Sequence, residues 1–445
     1  MKKKASLILL SFCLGVSQVG AVTEETTDKS EEQKKGVAED MDGYRKFRVG
    51  GYGEMLYQNF DYGPYRFGGN GSGSPADRRG EISVPRFVLA LDYKFSPSWI
   101  LGAEIEFEYG GTGAGVEVEY GENTEYEYEF EKGGEVALEQ FHITKVFNKA
   151  FSIRAGHMVV PVGLTNTHHE PINFFGATRP EGESTIIPCT WHETGLAVLG
   201  EFKGLGYQAM IVSGLDPYGF SSENWIQSGM QSRFEKTQMK NPAYVLRLDY
   251  RGVKGLRIGA SGYYAPRING NATNPSTTTN FKGTVLIGSA DAEYKGYGVT
   301  ARANVLYGYV GDATEINKLR PNKYTGYPGT PVAKNAYTWH AEVGYNVGRH
   351  FRNHTMLTPY VKYEKYNTMA NEQTGTVVSD KRLNVGLISA GINYSPVPGL
   401  VLKADYNHRI IDHGNFNPEN TFQIGIAYAG WFWSCLLYTS PSPRD

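Results

Sequence analysis

The 445-residue chain has few cysteines, little net charge and almost no long apolar runs. Its mean hydropathy is −0.40. The one extended apolar run, Ala5–Ser17, is too short to cross a bilayer, so the sequence excludes a bundle of membrane-spanning helices. A formal charge of −2 argues against a nucleic-acid partner. The three cysteines are Cys13, Cys189 and Cys435, and this spacing does not indicate a disulfide framework.

Both ends of the chain differ from the middle. A basic start, the apolar run and the small residues Val19-Gly20-Ala21 predict a signal peptide over 1–21. A lipoprotein signal at Cys13 is disfavoured, because the bulky Phe12 precedes it. Residues 22–46 are predicted to be a polar periplasmic segment. The final stretch 434–445, SCLLYTSPSPRD, breaks the pattern and resembles translated read-through sequence. The folded part is therefore predicted to span 47–433, with Cys189 as its single cysteine.

Short segments with apolar residues at every second position recur throughout 47–433. Examples are FVLALDYKF (Phe87–Phe95), YVLRLDYRG (Tyr244–Gly252) and VTARANVLYGY (Val299–Tyr309). This period predicts β-strands. The apolar face often ends in aromatic residues, as lipid-facing strands do at a membrane interface, and the opposite face is small or charged. We predict that the charged face lines a wet lumen, through Arg86, Glu104, Glu106, Arg154, Arg247, Arg251, Arg257, Arg302, Glu342 and Arg409.

Sixteen candidate strands are separated by connections that alternate between short and long. The strands are predicted at 47–61, 80–95, 99–109, 135–147, 150–163, 193–203, 205–215, 242–252, 255–266, 283–295, 297–310, 336–348, 355–368, 382–395, 399–412 and 420–433. This rhythm predicts an all-β fold: a 16-stranded antiparallel transmembrane β-barrel with short periplasmic turns and long extracellular loops. A secreted β-sandwich or β-solenoid adhesin is the alternative. The register within 135–163 stays open, because Glu139, His142 and Lys145 fit neither face.

The longest connection, 164–192, contains two adjacent histidines, several acids and three prolines. Its prolines and the apolar residues Phe174, Phe175, Ile186 and Ile187 argue against disorder, so we predict that this third long loop folds inward. Its polar residues would form the pore constriction: His168, His169, Glu170, Arg179, Glu181 and Glu183. Two roles stay open for the His169-Glu170 pair, a hydrogen-bonded anchor for the loop and direct contact with solute.

The sequence of this loop does not favour a metal site or a catalytic nucleophile. Adjacent histidines on an extended chain rarely point the same way, so no metal site is predicted. A nucleophile built from Cys189 and His192 has no identifiable third group to orient the base. The role of Cys189 stays open.

Two further loops carry charge runs. The acidic stretch Glu117–Glu135 interleaves carboxylates with Tyr120, Tyr126 and Tyr128, and Gly311–Asn335 carries Lys318, Arg320, Lys323, Tyr324 and Tyr327. Solvated surface is the favoured interpretation of both. Cation bridging to lipopolysaccharide or stacking on sugar is the alternative for the first, and a basic funnel at the pore mouth for the second.

The central third contains the motifs GEVALEQFHI, AFSIRAGHMVVPVG, His169-Glu170-Pro171, Arg179-Pro180 and TIIPCTWHETG, and the first predicted strand contains GGYGEMLY. Together these motifs resemble the phosphate-selective porins O and P family, especially its Bacteroidetes-type members. The resemblance implies a 16-stranded outer-membrane barrel, usually a trimer, that passes small solutes past an inward third loop. The chain departs from the family at Cys189 and His192. Its wall also mixes arginines with carboxylates, which weakens any anion field.

The sequence therefore predicts a porin of the bacterial outer membrane, in contact with lipid and lipopolysaccharide. It would form a water-filled channel for passive diffusion of ions and small hydrophilic solutes, with anions such as phosphate among the candidates. No enzymatic activity and no cofactor are predicted. The alternatives are a structural or adhesin barrel plugged by its loops and a lipid-modifying or proteolytic outer-membrane enzyme. The chain is too short for a TonB-dependent barrel with its plug. The solute, the sign of selectivity and the oligomeric state stay open.

Overall fold

The computed structural model of the protein describes twelve segments of the chain. They are 46–63, 78–111, 115–120, 126–131, 134–231, 237–271, 281–319, 331–351, 355–371, 373–374, 377–411 and 419–435. The predicted signal peptide and most of the polar segment lie outside the described residues, and so do 436–445.

Twenty strands are found in the described part of the chain. They are β1 (Phe47–Phe60), β2 (Arg79–Ser96), β3 (Trp99–Glu108), β4 (Gly115–Tyr120), β5 (Tyr126–Glu131), β6 (Glu135–Asn148), β7 (Phe151–Val159), β8 (His192–Phe202), β9 (Leu205–Val212), β10 (Ala243–Val253), β11 (Leu256–Ala265), β12 (Val285–Gly296), β13 (Val299–Val310), β14 (Asn335–Tyr345), β15 (Met356–Asn367), β16 (Gln373–Thr374), β17 (Val377–Val378), β18 (Asn384–Val397), β19 (Leu400–Ile411) and β20 (Glu419–Cys435).

Sixteen of these strands form one closed antiparallel barrel, which confirms the predicted fold. Each strand pairs with its neighbours in chain order, and β1 closes the barrel against β20. The other four strands form two small hairpins within long loops, β4–β5 and β16–β17. The last strand runs to Cys435, two residues past the predicted boundary, and pairs there with Phe47.

The remaining elements are short helices in the loops. Helix α1 is Glu181–Ile186 and α2 is Ala313–Asn317, and 3-10 turns occur at Pro171–Asn173, Pro217–Gly219, Gln227–Gly229, Val347–His350 and Lys381–Leu383. No helix in the described segments has the length and apolar character needed to cross a bilayer.

The two faces of the barrel wall differ as the alternation predicts. On β10, Tyr244 and Leu246 are 45% and 49% exposed on the outside, whereas Val245 and Arg247 are 3% and 2% exposed on the inside. Aromatic residues are exposed on the outer face near strand ends, among them Phe95, Trp99, Tyr109, Phe147, Phe202, Tyr250, Tyr307 and Phe432. An apolar outer face bordered by aromatic residues is what a barrel in a lipid bilayer requires.

A β-bulge explains why the register of 135–163 was open. Glu104 pairs with Gln140 and the next residue, Ile105, pairs with Leu138, so Glu139 is an extra residue in β6. The neighbours Glu139 and Gln140 are consequently both buried. A bulge shifts the alternation by one residue, and sequence periodicity cannot reveal where that shift falls.

The third long loop starts earlier than predicted. Strand β7 ends at Val159 instead of 163, because Pro161 has no N–H to donate to the ladder. Gly163 follows with a φ of +83°, and a Cβ placed there would lie 2.4 Å from Glu183 Oε1. The loop, residues 160–191, thus turns away from the wall through a position that requires glycine.

Part of the barrel interior is an apolar cluster rather than a wet lumen. Ile186 and Ile187 of the third loop, Trp191 at its end and Trp225 of the next loop are fully buried against the inner wall. Trp225 Nε1 donates a hydrogen bond to the Ala333 carbonyl at 3.0 Å. The wall accommodates this indole at Gly308, where a Cβ would lie 2.1 Å from the ring. Loops therefore pack inside one side of the barrel.

Candidate functional site: a loop docked in the barrel lumen

The third loop crosses the interior and is held by Lys403 of β19. The ammonium group donates to the carbonyl oxygens of Pro171, Phe174 and Gly176, the last two at 2.8 Å. It also lies 4.3 Å from the centre of the Phe174 ring. An ammonium has three donors, and here each meets a loop carbonyl. The inward-folded third loop is thus confirmed, with Lys403 as its anchor on this wall.

A second anchor is Glu183 in α1. Its carboxylate accepts hydrogen bonds from the backbone N–H groups of Leu164 at 3.2 Å and Asn166 at 2.6 Å, and from the side-chain amide of Asn304 on β13. Burial raises the pKa of Glu183 to about 7, although the backbone donors oppose the shift. Glu183 therefore joins the two ends of the loop to the wall.

A third anchor joins α1 to β15 and β19. Glu181 pairs with Arg409 of β19 and accepts a hydrogen bond from Tyr366 Oη at 2.5 Å. The Gly182 N–H donates to Glu364 at 3.1 Å. Arg409 also pairs with Glu419 at 2.7 Å. The helix is thus tied to β15 and β19 through charged side chains.

The histidine pair of the loop is split between two environments. His169 is buried, and its Nδ1 lies 3.2 Å from the Asn166 carbonyl oxygen. The backbone carbonyl of His169 accepts a hydrogen bond from Arg86 Nη2 at 3.1 Å. Glu170 is buried and accepts from Asn173 at 2.6 Å. These contacts support the interpretation of His169 and Glu170 as loop anchors.

His168 instead remains partly exposed and lies near the β10–β12 wall. Burial, followed by the nearby charges of Arg257 and Arg247, lowers the pKa of His168 to about 3. The ring is therefore neutral across the physiological pH range.

Arg179 and Cys189 meet at the other side of the loop. Arg179 is half-buried, and its guanidinium donates to Cys189 Sγ and, at 3.3 Å, to Thr190 Oγ1. Cys189 is exposed. His192, weighed with Cys189 as a nucleophile pair, instead hydrogen-bonds His157. The two groups thus have different partners, and their contacts do not form a nucleophile–base pair.

Most arginines of the wall are paired with carboxylates. Arg247 and Arg257 both contact Asp249 and Asp291, at distances between 2.7 and 3.1 Å. Arg302 pairs with Glu293 at 2.8 Å and Glu342 at 2.7 Å, and Arg86 pairs with Glu54 at 3.0 Å. Cation and anion thus offset each other along the wall, as its mixed composition predicts.

The other predicted lumen residues are placed as follows. Arg154 is buried and donates to Thr144 at 3.1 Å. Glu104 and Glu106 are buried on β3. Arg251 is exposed near the short turn after β10. A cavity between the loop and the β12–β14 wall is lined by His168, Asn173, Phe174, Glu293, Arg302 and Glu342.

The sequence analysis missed several residues of the site, among them Glu54, Glu293, Lys403 and Glu139. Lys403 lies six positions before Arg409 on the same strand, so the alternation that placed Arg409 on the inner face could have placed Lys403 there too. Glu139 carries no such signal, because the bulge alone turns it inward.

Two predicted loop features lie partly outside the described residues. Residues Glu117–Tyr120 and Tyr126–Glu131 belong to the β4–β5 hairpin, and the side chains of Tyr120, Tyr126 and Tyr128 lie outside the described part of the structure. Arg320, Lys323, Tyr324 and Tyr327 are outside the described segments.

The barrel is similar to outer-membrane channels of known structure. The channel DcaP of Acinetobacter baumannii has 13% sequence identity and a TM-score of 0.53, and the match covers 86% of this chain and 97% of that one. An anion-selective porin from Comamonas acidovorans has 8% identity and a TM-score of 0.50, with 87% of this chain and 100% of that one covered. Salmonella typhi OmpF in complex with daunomycin has 12% identity and a TM-score of 0.53, with 87% of this chain and 98% of that one covered. At these identities the likeness shows the fold. The protein thus has the fold of the outer-membrane porins, which together with its apolar outer face indicates the bacterial outer membrane.

Sequence comparison adds one relative and no family. No family model matches the chain. An uncharacterized protein of Aquifex aeolicus (strain VF5) is 28% identical over 362 residues, which are 80% of this chain and 74% of that protein.

Proposed function

We propose that the protein is a porin with a narrow, weakly selective channel for passive diffusion of ions and small hydrophilic solutes. The observation that carries this proposal is the charged lumen crossed by a docked loop. A sixteen-stranded barrel is wide enough for an aqueous channel, and an inward loop narrows it. Residues that reach the passage, such as Arg179 and His168, would filter solutes, whereas Glu181 is engaged by Arg409 and Tyr366. The buried His169, Glu170 and Glu183 would hold the loop.

The wall chemistry supports weak rather than strong selectivity. Selectivity for a multivalent anion requires several cations whose charge is not offset. Here Arg247, Arg257 and Arg302 each share carboxylate partners. The resemblance to the phosphate-selective porins O and P family, and the fold shared with an anion-selective porin, support anions such as phosphate as permeant solutes. The same resemblance supports a homotrimer exported by the signal peptide 1–21.

A closed structural barrel is the second candidate, and the burial of the interior favours it. Glu364 and Ser389 on the wall are fully buried, as are Ile186 and Ile187 of the loop. A lumen filled to that extent conducts only if a continuous passage stays open beside the loop.

Planar-bilayer recording separates the two functions. The purified protein, shown to be folded by its heat-modifiable migration, is reconstituted under a salt gradient. Stepwise conductance with a small zero-current potential is the result that supports the weakly selective porin. A shift of that potential when phosphate replaces chloride would support phosphate passage. Silence from a protein that stays folded would overturn the porin proposal in favour of the closed barrel.

A further inference from the structure

Three potential metal ligands meet where the third loop contacts the wall. They are Glu104 of β3, Glu139 of β6 and His169 of the loop, whose ligand atoms all lie within 4.8 Å of one another. Their exposed fractions are 3%, 1% and 2%. A charged group removed from water to this extent requires a partner.

The fold brings these residues together from three separate elements. Glu104 faces inward by the ordinary alternation of β3, and the bulge in β6 turns the extra residue Glu139 to the same side. His169 is positioned by the hydrogen bond from Arg86 to its carbonyl oxygen. Bulges often re-aim a side chain at a functional site, and this one places a second carboxylate beside the first.

The histidine is oriented as a metal ligand. Its Nδ1 lies 3.2 Å from the Asn166 carbonyl oxygen, which can only accept, so Nδ1 carries the proton. The other ring nitrogen, Nε2, then presents a lone pair. Among the described residues it has no hydrogen-bond partner. A histidine whose second nitrogen donates to a carbonyl is the usual arrangement around a bound metal.

The carboxylates show the same deficit. Within the described part of the chain, Glu104 Oε2 and Glu139 Oε1 also lack a hydrogen-bond partner. The other oxygen of Glu139 accepts from Tyr52 at 3.0 Å. Three unprotonated acceptors that face one another cannot satisfy each other, whereas one cation can satisfy all three. Arg86 is close to the cluster, but Glu54 already offsets its charge.

We propose that Glu104, Glu139 and His169 bind a first-row divalent cation, for which zinc is the probe. One imidazole and two carboxylates suit Zn²⁺, with water as a fourth ligand. Zinc ligands at about 2.0–2.2 Å lie roughly 3.4 Å from one another in a tetrahedron, so side-chain adjustments would bring these atoms into place. The bound ion ties the loop to β3 and β6, whereas Lys403 ties the loop to β19.

A bound ion at this site would also change the charge near the channel that we propose. The binding of zinc itself is measured independently of channel conductance. A divalent cation offsets two negative charges beside the passage, so its removal moves the zero-current potential towards cation selectivity. Zinc binding by a silent barrel would leave this site intact and overturn only the channel.

Calorimetric titration of the purified full chain with zinc, after chelator treatment and dialysis, tests the site. The variants Glu104→Gln, Glu139→Gln and His169→Gln each remove one ligand, and His168→Gln is the matched control in the adjacent residue. We expect one tight zinc per chain, affinity lowered more than about 100-fold in each ligand variant and unchanged affinity in the control. Heat-modifiable migration shows that each variant is folded.

Two outcomes would overturn the proposal. One is a folded wild-type protein that binds no zinc, which would indicate that the carboxyl groups share protons instead. The other is equal affinity in the wild type and all three ligand variants, which would place the zinc elsewhere, for example at His157 and His192. If one of the glutamine variants fails to fold, the zinc affinities of the other two variants show whether the ion binds at this site.

Discussion

Replacing Lys403 with methionine should release one edge of the third loop. Methionine keeps most of the side-chain volume but removes the ammonium that donates to Pro171, Phe174 and Gly176. A hydrogen bond to a charged group contributes about 1.5–3 kcal/mol. Undocking exposes the freed carbonyls to lumen water, which offsets part of the three lost hydrogen bonds, so we expect a net loss of about 3–4 kcal/mol in docking. That loss shifts the equilibrium between docked and undocked loop by roughly 100- to 1,000-fold.

Single-channel recording measures this shift. Lys403→Met should show a higher-conductance state or rapid flicker, and limited proteolysis should cut within 160–191. Lys149→Met is the control, because Lys149 is more than half exposed in the β6–β7 turn and pairs with Glu201 at 3.0 Å. If Lys403→Met matches the wild type in conductance, noise and proteolysis, the reasoning is refuted, and the remaining anchors suffice.

Three further predictions concern the loops. Arg179→Ala should move the zero-current potential towards cation selectivity. The free energy of unfolding should change by no more than about 0.5 kcal/mol, because the Arg179 side chain is half-buried and not in the apolar cluster. An unchanged zero-current potential would show that Arg179 does not filter ions. The pKa of Glu183 rises from 4.5 to about 7 in the folded protein. The docked loop should therefore be most stable below pH 4.5 and should lose stability as pH rises through about 7. Limited proteolysis of the loop at a series of pH values measures this loss, and the pH dependence due to Glu183 should be absent in Glu183→Gln. Trp225→Ala should destabilise the folded barrel by about 3–5 kcal/mol in urea titrations, since the indole is fully buried; a change below 1 kcal/mol would mean that the loop does not contribute to barrel stability.

The architecture could be read from the sequence because its signal is local. Each strand shows its own alternation, and the short and long connections alternate with it, so the sixteen barrel strands and the inward loop were predictable before any contact was known. The ends of strands could not be predicted from the alternation where a proline interrupts the backbone hydrogen bonds. Strand β7 ends at Val159 because Pro161 interrupts the ladder, and no periodicity marks that point.

The site was predictable only in part. The alternation identified Arg302 and Glu342 as inner-face residues, and the composition of the third loop predicted that it folds inward. The roles within the loop were not separable, because His168 and His169 are adjacent and equivalent in sequence. In the structure one is buried against Asn166 and the other remains partly exposed.

The sequence alone therefore determined the strands, their two faces, the membrane setting and the loop that turns inward, since all of these follow from neighbouring residues. Only the tertiary structure decided which charges meet. Barrel closure brings Lys403 of β19 to the carbonyls of the third loop, and a single extra residue in β6 turns Glu139 towards Glu104 and His169. Such contacts depend on register and closure, which are properties of the whole sheet and not of any one segment.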